Sequence, residues 1–378
     1  MITISVTREA DGESRVALSP ETTKKFKGAG ARILFQSGAG DRSFMPDALF
    51  KEAGAEIVPT AAEAISKADV ILKVGRPSAE EVAAMRSGAI LAAILDPYSG
   101  REELERIAAK GVSAFAMEFM PRITRAQSMD VLSSQSNLAG YKAVVDAASH
   151  FGRAFPMMMT AAGTVPAART FVMGAGVAGL QAVATARRLG AMVSATDVRP
   201  ASKEQVQSLG AKFVAVEDEE FKQAEAAGGY AKEMSAEYRK KQAELVASHI
   251  AGQDIVITTA LIPGRPAPKL ISRAMVESMK PGSVIVDLAA ERGGNTEVTE
   301  PGKIIDHSGV TIMGYTDVAG RIPGNASSLY ARNLFAFIDP LIDKKEGKLA
   351  IKWDDEIVLG TLISRDGQIV HPRLKGGA

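Results

Sequence analysis

The sequence of 378 residues contains no cysteine, which excludes disulfide bonds, thiolate metal sites and a cysteine nucleophile together. Histidine is scarce as well, because only His150, His249, His307 and His371 occur, and no two of them have the spacing of a metal-binding pair. We therefore expect no metal in the functional site. The 45 lysines and arginines nearly cancel the 44 aspartates and glutamates, which argues against nucleic acid as a partner.

Long apolar runs are also missing. Residues 1–16 lack the charged head and apolar core of a signal peptide. The longest weakly polar segment, residues 156–168, contains two prolines and is shorter than the roughly 20 apolar residues that span a bilayer. We expect a soluble, intracellular protein, and 46% hydrophobic content over this length is sufficient for two cores of ordinary size.

The strongest local pattern is a strand, a glycine turn and a helix over residues 170–189. The glycines of the turn, Gly174, Gly176 and Gly179, follow the pattern G-x-G-x-x-G, and Gly190 would end the helix. In dinucleotide-binding folds the first glycine permits the tight turn, the second lets the backbone approach a pyrophosphate, and the third allows close helix packing. The helix N terminus offers unpaired N–H groups to the phosphates. The pattern predicts dinucleotide binding, and a glycine turn that serves only backbone packing is the alternative.

A second strand, predicted over residues 191–196, is followed by Asp197. A carboxylate at this position accepts hydrogen bonds from the adenosine ribose and repels a 2′-phosphate, so it favours NAD(H) over NADP(H). Arg199 leaves two possibilities open. It is either a partner for a 2′-phosphate or an arginine solvated in a loop.

Short apolar runs alternate with helical stretches along most of the chain, which is typical of parallel sheets flanked by helices. We expect an α/β fold with two doubly wound Rossmann-like domains, joined by two long helices, with a cleft between them. The predicted first domain is discontinuous and comprises residues 1–132 and 325–378. The predicted second domain, residues 133–324, binds the nucleotide and begins with a linking helix over residues 133–152.

The nucleotide-binding domain should contain six strands and one unusual segment. The strands are predicted at residues 170–173, 191–196, 212–216, 254–260, 283–288 and 310–314. The unusual segment, residues 217–240, is densely charged and contains a Gly228–Gly229 break, so we expect it to be mobile until a ligand orders it. Residues 348–370 are expected to form a hairpin around the turn at 365–367.

A polar loop precedes the linking helix. Its hydrogen-bonding side chains are Arg122, Arg125, Gln127, Ser128, Asp130 and Ser133. Such groups suit a loop that grips a polar ligand head, for example a nicotinamide carboxamide or a ribose. They suit equally well a loop that caps the helix that follows, and the residues alone leave both alternatives open.

Six blocks of the sequence carry a resemblance to a known family: PRITRAQSMDVLSSQSNLAGYKAV, FPMMMTAAGTVPAAR, GAGVAGLQAVATARRLGAMVSATDVR, AGGYAKEM, TTALIPGRPAP and MKPGSVIVDLA. They closely resemble the NAD(H)-binding component, the alpha or alpha-1 chain, of proton-translocating NAD(P) transhydrogenase. In that family the component is a dimer that passes a hydride from NADH to NADP⁺ on a separate component, while a membrane component couples the transfer to proton movement. The first and fourth blocks are more specific than the glycine pattern.

The resemblance implies NAD(H) as cofactor, NADP(H) on a partner component, and a homodimer. It also implies a cytoplasmic chain that is peripheral on the cytoplasmic face of the inner membrane through its NADP(H)-binding and membrane partners. Because the sequence ends at Ala378 without a membrane span, we expect the form in which this component is a separate soluble subunit.

Site residues follow from the same resemblance. Arg122, Gln127 and Asp130 match the family loop that contacts the nicotinamide end of NAD(H), and we expect them to be the catalytic set. The cofactor-binding residues implied by the resemblance are Gln127, Ser128, Met129, Asp130 and Ser133 in this loop, Gly174, Gly176, Val177 and Gly179 in the glycine turn, Asp197, Val198 and Arg199 after the second strand, Gly229, Tyr230 and Met234 in the mobile loop, Gln242 and Leu261. Hydride exchange between two nicotinamides requires no acid or base, so these residues would act by positioning the ring and excluding water.

Alanine dehydrogenase is the alternative enzyme, because residues 12–20 and Lys73 resemble the segments that supply its substrate-binding arginine and lysine. Oxidative deamination needs acid–base help. The histidine position of that family is occupied by Ile94 here, and its later aspartate position by Glu291. We therefore interpret Arg15 and Lys73 as inherited structure held in ion pairs. A non-catalytic NAD(H)-binding subunit is the second alternative.

Overall fold

A computed structural model describes residues 1–223 and 234–375 of the chain. They form two compact units. Unit one consists of Met1–Gln135 and Gly320–Ala378, and unit two of Ser136–Ala319. The domain limits at 132/133 and 324/325 stay a prediction of the sequence.

The strands of the described residues are short, and most are apolar. They are β1 (Thr3–Val6), β2 (Arg32–Gln36), β3 (Glu56–Val58), β4 (Val70–Leu72), β5 (Ile90–Ala93), β6 (Ser113–Ala116), β7 (Met158–Thr160), β8 (Gly163–Val165), β9 (Arg169–Met173), β10 (Met192–Thr196), β11 (Lys212–Phe213), β12 (Ile255–Thr258), β13 (Val284–Asp287), β14 (Ile304–His307), β15 (Val310–Met313), β16 (Ile342–Asp343), β17 (Lys348–Leu349), β18 (Leu362–Arg365) and β19 (Gln368–Ile369).

The helices alternate with these strands over much of the chain. They are α1 (Pro20–Gly28), α2 (Asp47–Glu52), α3 (Ala61–Ile65), α4 (Ala79–Ala84), α5 (Arg101–Ala109), α6 (Val131–His150), α7 (Val177–Arg188), α8 (Ser202–Ser208), α9 (Glu219–Lys222), α10 (Ala236–Ile250), α11 (Arg273–Glu277), α12 (Pro323–Ile338), α13 (Glu356–Thr361) and α14 (Pro372–Lys375). Short 3₁₀ helices occur at Asp41–Ser43, Met117–Phe119, Thr124–Met129, Ala290–Arg292, Ala319–Arg321 and Asp339–Leu341.

The described part of unit one contains a sheet with the strand order β19-β18-β6-β5-β4-β1-β2-β3. The six strands β1 to β6 are parallel to one another, whereas β18 runs antiparallel to β6. The chain moves outward from β1 in one direction and then, from β4, in the other, which is the doubly wound order. The predicted α/β doubly wound class is therefore confirmed for unit one.

The hairpin expected in the C-terminal tail is confirmed only around its turn. Strands β18 and β19 pair antiparallel, and Asp366 and Gly367 between them have φ values of 51° and 82°, as a type I′ turn requires. The expected extent over residues 348–370 is wrong. Residues Glu356–Thr361 form α13, because Asp355 caps a helix there, and β17 pairs with β16 instead.

The main sheet of unit two, within the described residues, has the order β11-β10-β9-β12-β13-β15-β14. Its six predicted strands are present, although β11 is shorter than expected. Strand β14 was not predicted. It pairs antiparallel with β15 at the sheet edge, where its side chains are exposed or half-buried and give no clear apolar pattern.

Both faces of the unit-two sheet are covered, which explains its nearly continuous apolar strands. In β9, Val172 faces the cluster that includes α7, whereas Phe171 and Met173 face the cluster that includes the C-terminal half of α10. Helix α6 approaches α7 closely at Gly140, since a Cβ there would lie 2.0 Å from the carbonyl oxygen of Ala178. Only glycine permits this contact.

Helices α6 and α12 are the two long helices expected from the sequence, with 20 and 16 residues. The boundary between units falls inside α6, and α12 begins just after the second boundary. Within residues 1–223 and 234–375, no helix has the length and apolar content needed to cross a membrane.

Candidate functional site

The glycine turn of unit two lies between β9 and α7, at the carboxyl edge of the sheet. Gly174 has a φ of +103°, and a Cβ at this position would lie 2.3 Å from the hydroxyl of Thr259. A Cβ at Gly179 would lie 1.7 Å from the carbonyl oxygen of Gly174. By contrast, a Cβ at Gly176 would meet no atom within 4 Å. Gly174 and Gly179 therefore serve packing, whereas Gly176 leaves its backbone open.

Open space beside Gly176 coincides with a helix N terminus. Gly176 is the N-cap of α7, which has 12 residues, and no side chain caps it. The first N–H groups of a helix lack intrahelical partners and favour an anion. This combination suits a pyrophosphate. The turn follows β9, and the strand order of the sheet reverses between β9 and its neighbour β12. Doubly wound sheets bind their ligands at such a reversal.

Three apolar side chains are exposed at the same edge of the sheet. Val177, Val198 and Leu261 are 42%, 54% and 52% exposed, and they follow β9, β10 and β12 respectively. Large exposed apolar side chains grouped at one place often mark a binding surface. Their chemistry suits the faces of a planar, weakly polar ring such as adenine.

Asp197 follows β10 and is engaged within unit two. Its Oδ2 accepts a hydrogen bond of 2.7 Å from the N–H of Ala175, so the carboxylate fixes the glycine turn. Its Oδ1 accepts from the backbone N–H of Arg199, and both oxygens accept from the Arg199 guanidinium. Burial raises the pKa of Asp197, but the hydrogen bonds from Arg199 and Ala175 outweigh burial and hold it below its ordinary value.

This geometry differs from both possibilities left open for Arg199. Its side chain is 33% exposed and forms an ion pair of 2.9 Å with Asp197. It is therefore neither an arginine solvated in a loop nor, in this structure, free to meet a phosphate. The side chain of Asp197 is only 7% exposed.

Gln242 of α10 lies beside β10, the strand that Asp197 follows. Gln242 accepts from the N–H of Val216 and donates to the hydroxyl of Thr196. Met234 is 8% exposed and packs in the unit-two core. Gly229 and Tyr230 lie outside the described residues. The described residues on either side of the gap contact each other, since the N–H of Ser235 donates to Glu220 and the ring of Phe221 stacks on Tyr238.

The polar loop belongs to unit one and contains the 3₁₀ helix Thr124–Met129. Asp130 accepts from the backbone N–H and the hydroxyl of Ser133, at 3.0 and 2.6 Å. This is an N-cap of α6. The helix-capping alternative is therefore confirmed for Asp130, and its ligand contact stays a prediction.

Other members of the loop differ in exposure. Met129 is buried in the unit-one core, whereas Arg122, Gln127 and Ser128 are exposed. Arg125 forms an ion pair of 2.8 Å with Asp355. The backbone is thus anchored while Gln127 faces solvent, as a ligand-contacting side chain requires.

The sequence analysis did not identify one residue that holds this loop. Asn333 of α12 donates to the carbonyl oxygen of Ser128 and accepts from the hydroxyl of Ser134. The contact joins residues 205 positions apart, and only the topology brings them together. Thr259, which donates to the carbonyl oxygen of Gly174, was missed for the same reason.

The two basic residues shared with alanine dehydrogenase are engaged in ion pairs, as expected. Arg15 pairs with Glu13 at 2.7 Å. Lys73 is 1% exposed, and its ammonium donates to the hydroxyl of Thr7, the carbonyl oxygen of Arg8 and the carboxylate of Glu81. A cavity of about 430 Å³ adjoins Lys73, but all three donors of its ammonium are already used.

In the described part of the chain, no group of three or more histidine, aspartate or glutamate side chains is placed to hold a metal ion.

Three features together define a dinucleotide-binding protein of the Rossmann class. They are the doubly wound sheets, the glycine turn at a strand-order reversal, and the acidic residue after the second strand of unit two.

Comparison with known proteins narrows this class. A family model described as alanine dehydrogenase/PNT, N-terminal domain, matches residues 5–139, and the C-terminal domain of the same family matches residues 143–372. The chain belongs to the alanine dehydrogenase/PNT family. The resemblance seen in the sequence is thereby confirmed.

Transhydrogenases are its nearer relatives within this family. The first part of the NAD(P) transhydrogenase subunit alpha of Rhodospirillum rubrum is 56% identical over 370 residues, which cover 97% of this chain and 96% of the relative. The solved structure of a transhydrogenase from Sinorhizobium meliloti has a TM-score of 0.89 and 57% identity, and covers 97% of this chain and 100% of that one. An alanine dehydrogenase of Mycobacterium tuberculosis is 32% identical over 298 residues, or 78% of this chain and 74% of the relative. The alanine dehydrogenase relationship is the more distant one.

Proposed function

We propose that this chain is the NAD(H)-binding component of a proton-translocating NAD(P) transhydrogenase. In this role it exchanges a hydride between NADH in its own site and NADP⁺ on a partner component. Support comes from the relative in Rhodospirillum rubrum, whose name is that of a transhydrogenase alpha subunit and which matches nearly the whole chain.

The observation that carries NAD(H) binding is the glycine turn. Gly174 and Gly179 have no room for a Cβ, whereas Gly176 leaves its backbone open beside the uncapped N terminus of α7. A pyrophosphate fits this arrangement. The adenine would contact the exposed side chains of Val198 and Leu261, and Asp197 would meet the adenosine ribose.

For the nicotinamide end, we assign contact to the polar loop. Gln127 is exposed on an anchored backbone, and Asp130 is fixed by Ser133. When NAD(H) is bound, its nicotinamide supplies the hydride chemistry. The loop side chains would hold the ring in the geometry for transfer and keep water away, and no residue needs to move a proton.

The proposal includes further partners. NADP(H) would be held by a separate component, and a membrane component would couple hydride transfer to proton movement. We assign the chain to the cytoplasmic face of the inner membrane, where these partners would attach it. We also propose that it forms a homodimer. The word subunit in the names of its relatives supports an assembly of several chains.

A reconstituted assay tests this function. The purified chain is mixed with an NADP(H)-binding partner, NADH and an NADP⁺ analogue, and reduction of the analogue is followed with and without each protein. We expect reduction only when both proteins are present. NADH binding without any transfer would indicate a non-catalytic subunit and contradict the proposal.

Alanine dehydrogenase activity is tested in the same preparation with alanine and NAD⁺. We expect none, because Ile94 stands where that enzyme has its histidine and every donor of the Lys73 ammonium is occupied within the chain. Turnover of alanine by the chain alone would favour the dehydrogenase.

A further inference from the structure

The carboxylate of Asp197 has no unused hydrogen-bonding position in this structure. Its Oδ1 accepts from the backbone N–H and Nε of Arg199, both at 2.9 Å. Its Oδ2 accepts from the N–H of Ala175 at 2.7 Å and from Nη2 of Arg199 at 3.0 Å. A carboxylate has about four lone-pair sites, and all are filled.

A ribose hydroxyl that donates to Asp197 must therefore replace one of these donors. Two of them are backbone N–H groups, one in the buried glycine turn at Ala175 and one at Arg199 itself. The guanidinium of Arg199 is the donor that can leave, because it lies at the end of a flexible side chain that is 33% exposed. After displacement it would remain next to the ribose.

The position next to the ribose is where NADP(H) carries its 2′-phosphate. A guanidinium is well suited to a phosphate, because it offers several donors in one plane. In this chain the guanidinium is held by Asp197, whose negative charge would also repel the phosphate. The two residues thus have opposite effects on the same group of the ligand.

We propose that Arg199 is a specificity-determining residue, held at the adenosine ribose by Asp197 and able to bind a 2′-phosphate once the carboxylate charge is removed. This inference rests on the proposed binding of NAD(H) at the glycine turn. It implies that one substitution, Asp197→Asn, shifts the nucleotide preference toward NADP(H) without adding any positive charge.

Lys203 is the next basic residue along the chain after Arg199, and it is already engaged in an ion pair. It lies in the first turn of α8, and its partner is Glu217. The guanidinium is therefore the group on which the shift should depend, and a double-mutant cycle isolates its contribution.

The experiment measures binding of NADH and of NADPH to the full chain by nucleotide fluorescence. The proteins are the wild type, Asp197→Asn, Arg199→Gln and the double variant, with thermal unfolding as a check on folding. Asparagine keeps an oxygen for the N–H of Ala175, and Asp197→Ser is a second variant if asparagine does not fold.

We expect the wild type to prefer NADH, and Asp197→Asn to bind NADPH about tenfold more tightly than the wild type does. This gain should disappear in the double variant and fall as salt is added. Arg199→Gln alone should bind NADPH no better than the wild type. In the Asp197→Asn background, Arg199→Lys should retain part of the gain because it keeps the charge.

The inference is overturned if Asp197→Asn gains no NADPH affinity, or if the double variant keeps the gain. Either result is compatible with the proposed function as long as the wild type binds NADH. A folded wild type that binds neither nucleotide would overturn the proposed function and this inference together.

Discussion

The side-chain amide of Asn333 donates a hydrogen bond of 2.8 Å to the carbonyl oxygen of Ser128, and its carbonyl accepts one of 2.7 Å from the hydroxyl of Ser134. A single side chain of α12 thereby fixes the polar loop and the first turn of α6. The exposed Gln127 is the immediate neighbour of Ser128, so its position depends on this anchor.

Replacement of Asn333 by alanine should loosen the loop without removing any residue assigned to ligand contact. Asn333 is 7% exposed, and its removal breaks two hydrogen bonds, one to the carbonyl oxygen of Ser128 and one from the hydroxyl of Ser134. We expect a loss of about 1–3 kcal/mol in the free energy of unfolding. The rate of hydride transfer should fall more than NADH affinity, because ring position is affected more than adenine binding. Steady-state kinetics and NADH titration would show the split, and equal losses in both would contradict a positioning role.

The variants Gln127→Asn and Asp130→Asn should each lower hydride transfer by about tenfold or more while the fold is retained. Asparagine at 130 can still cap α6, because its oxygen can accept from the N–H of Ser133. Arg125→Lys is the matched control, since Arg125 lies in the same loop but pairs with Asp355. Unaltered transfer in both variants, or an equal loss in the control, would refute the assigned role.

Two glycine variants should separate folding from binding. A Cβ at Gly179 would collide with the carbonyl oxygen of Gly174 at 1.7 Å, whereas a Cβ at Gly176 meets nothing within 4 Å. We expect Gly179→Ala to lower the unfolding midpoint strongly. Gly176→Ala should leave that midpoint nearly unchanged and weaken NADH binding by about tenfold or more, because its methyl group projects into the space assigned to the pyrophosphate. Thermal unfolding and NADH titration measure the two effects, and wild-type NADH affinity in Gly176→Ala would place the pyrophosphate elsewhere.

The stability of unit one should fall as the pH rises from 4.5 to 7. Burial raises the pKa of Glu118 from 4.5 to about 7, and burial has the same effect on Glu9. Between these two pH values the folded chain keeps protons that the unfolded chain releases. The stabilisation that these protonated carboxyl groups provide is therefore fully present below pH 4.5 and is lost as the pH rises to 7. Each carboxyl contributes up to about 1.4 kcal/mol per pH unit.

Glu118→Gln removes one of these contributions and keeps an oxygen that can accept from the N–H groups of Leu95 and Asp96. Denaturant unfolding followed by the fluorescence of Trp353, the single tryptophan of the chain, reports on unit one. The variant should show a shallower dependence on pH than the wild type. A stability difference between the two proteins that is constant from pH 5 to 7 would contradict the raised pKa.

The glycine turn could be predicted from the sequence because its causes are local. Gly174 has a φ of +103°, and Gly179 is constrained by the carbonyl oxygen of Gly174 within the same turn. The Asp366–Gly367 turn is likewise determined by the few residues that adopt a positive φ. The doubly wound α/β class followed from the alternation of strands and helices.

Contacts between distant segments could not be predicted in this way. Asn333 and Thr259 reach the site through the topology, and neither lies in a motif. Strand β14 is an edge strand whose side chains are not buried on one face, so it lacks the apolar alternation that identifies a strand. Arg199 and Asp197 are close in sequence, but the geometry of their ion pair depends on how the chain leaves β10.

The central claim, that the hydride passes directly from one nicotinamide to the other, is tested by isotope transfer. NADH carrying deuterium at the transferred position is mixed with the chain, its NADP(H)-binding partner and NADP⁺ in ordinary water, and the NADPH formed is analysed by mass spectrometry. We expect the deuterium to be retained in NADPH, because no residue exchanges a proton with the transferred atom. NADPH that contains hydrogen from the solvent instead would contradict the claim.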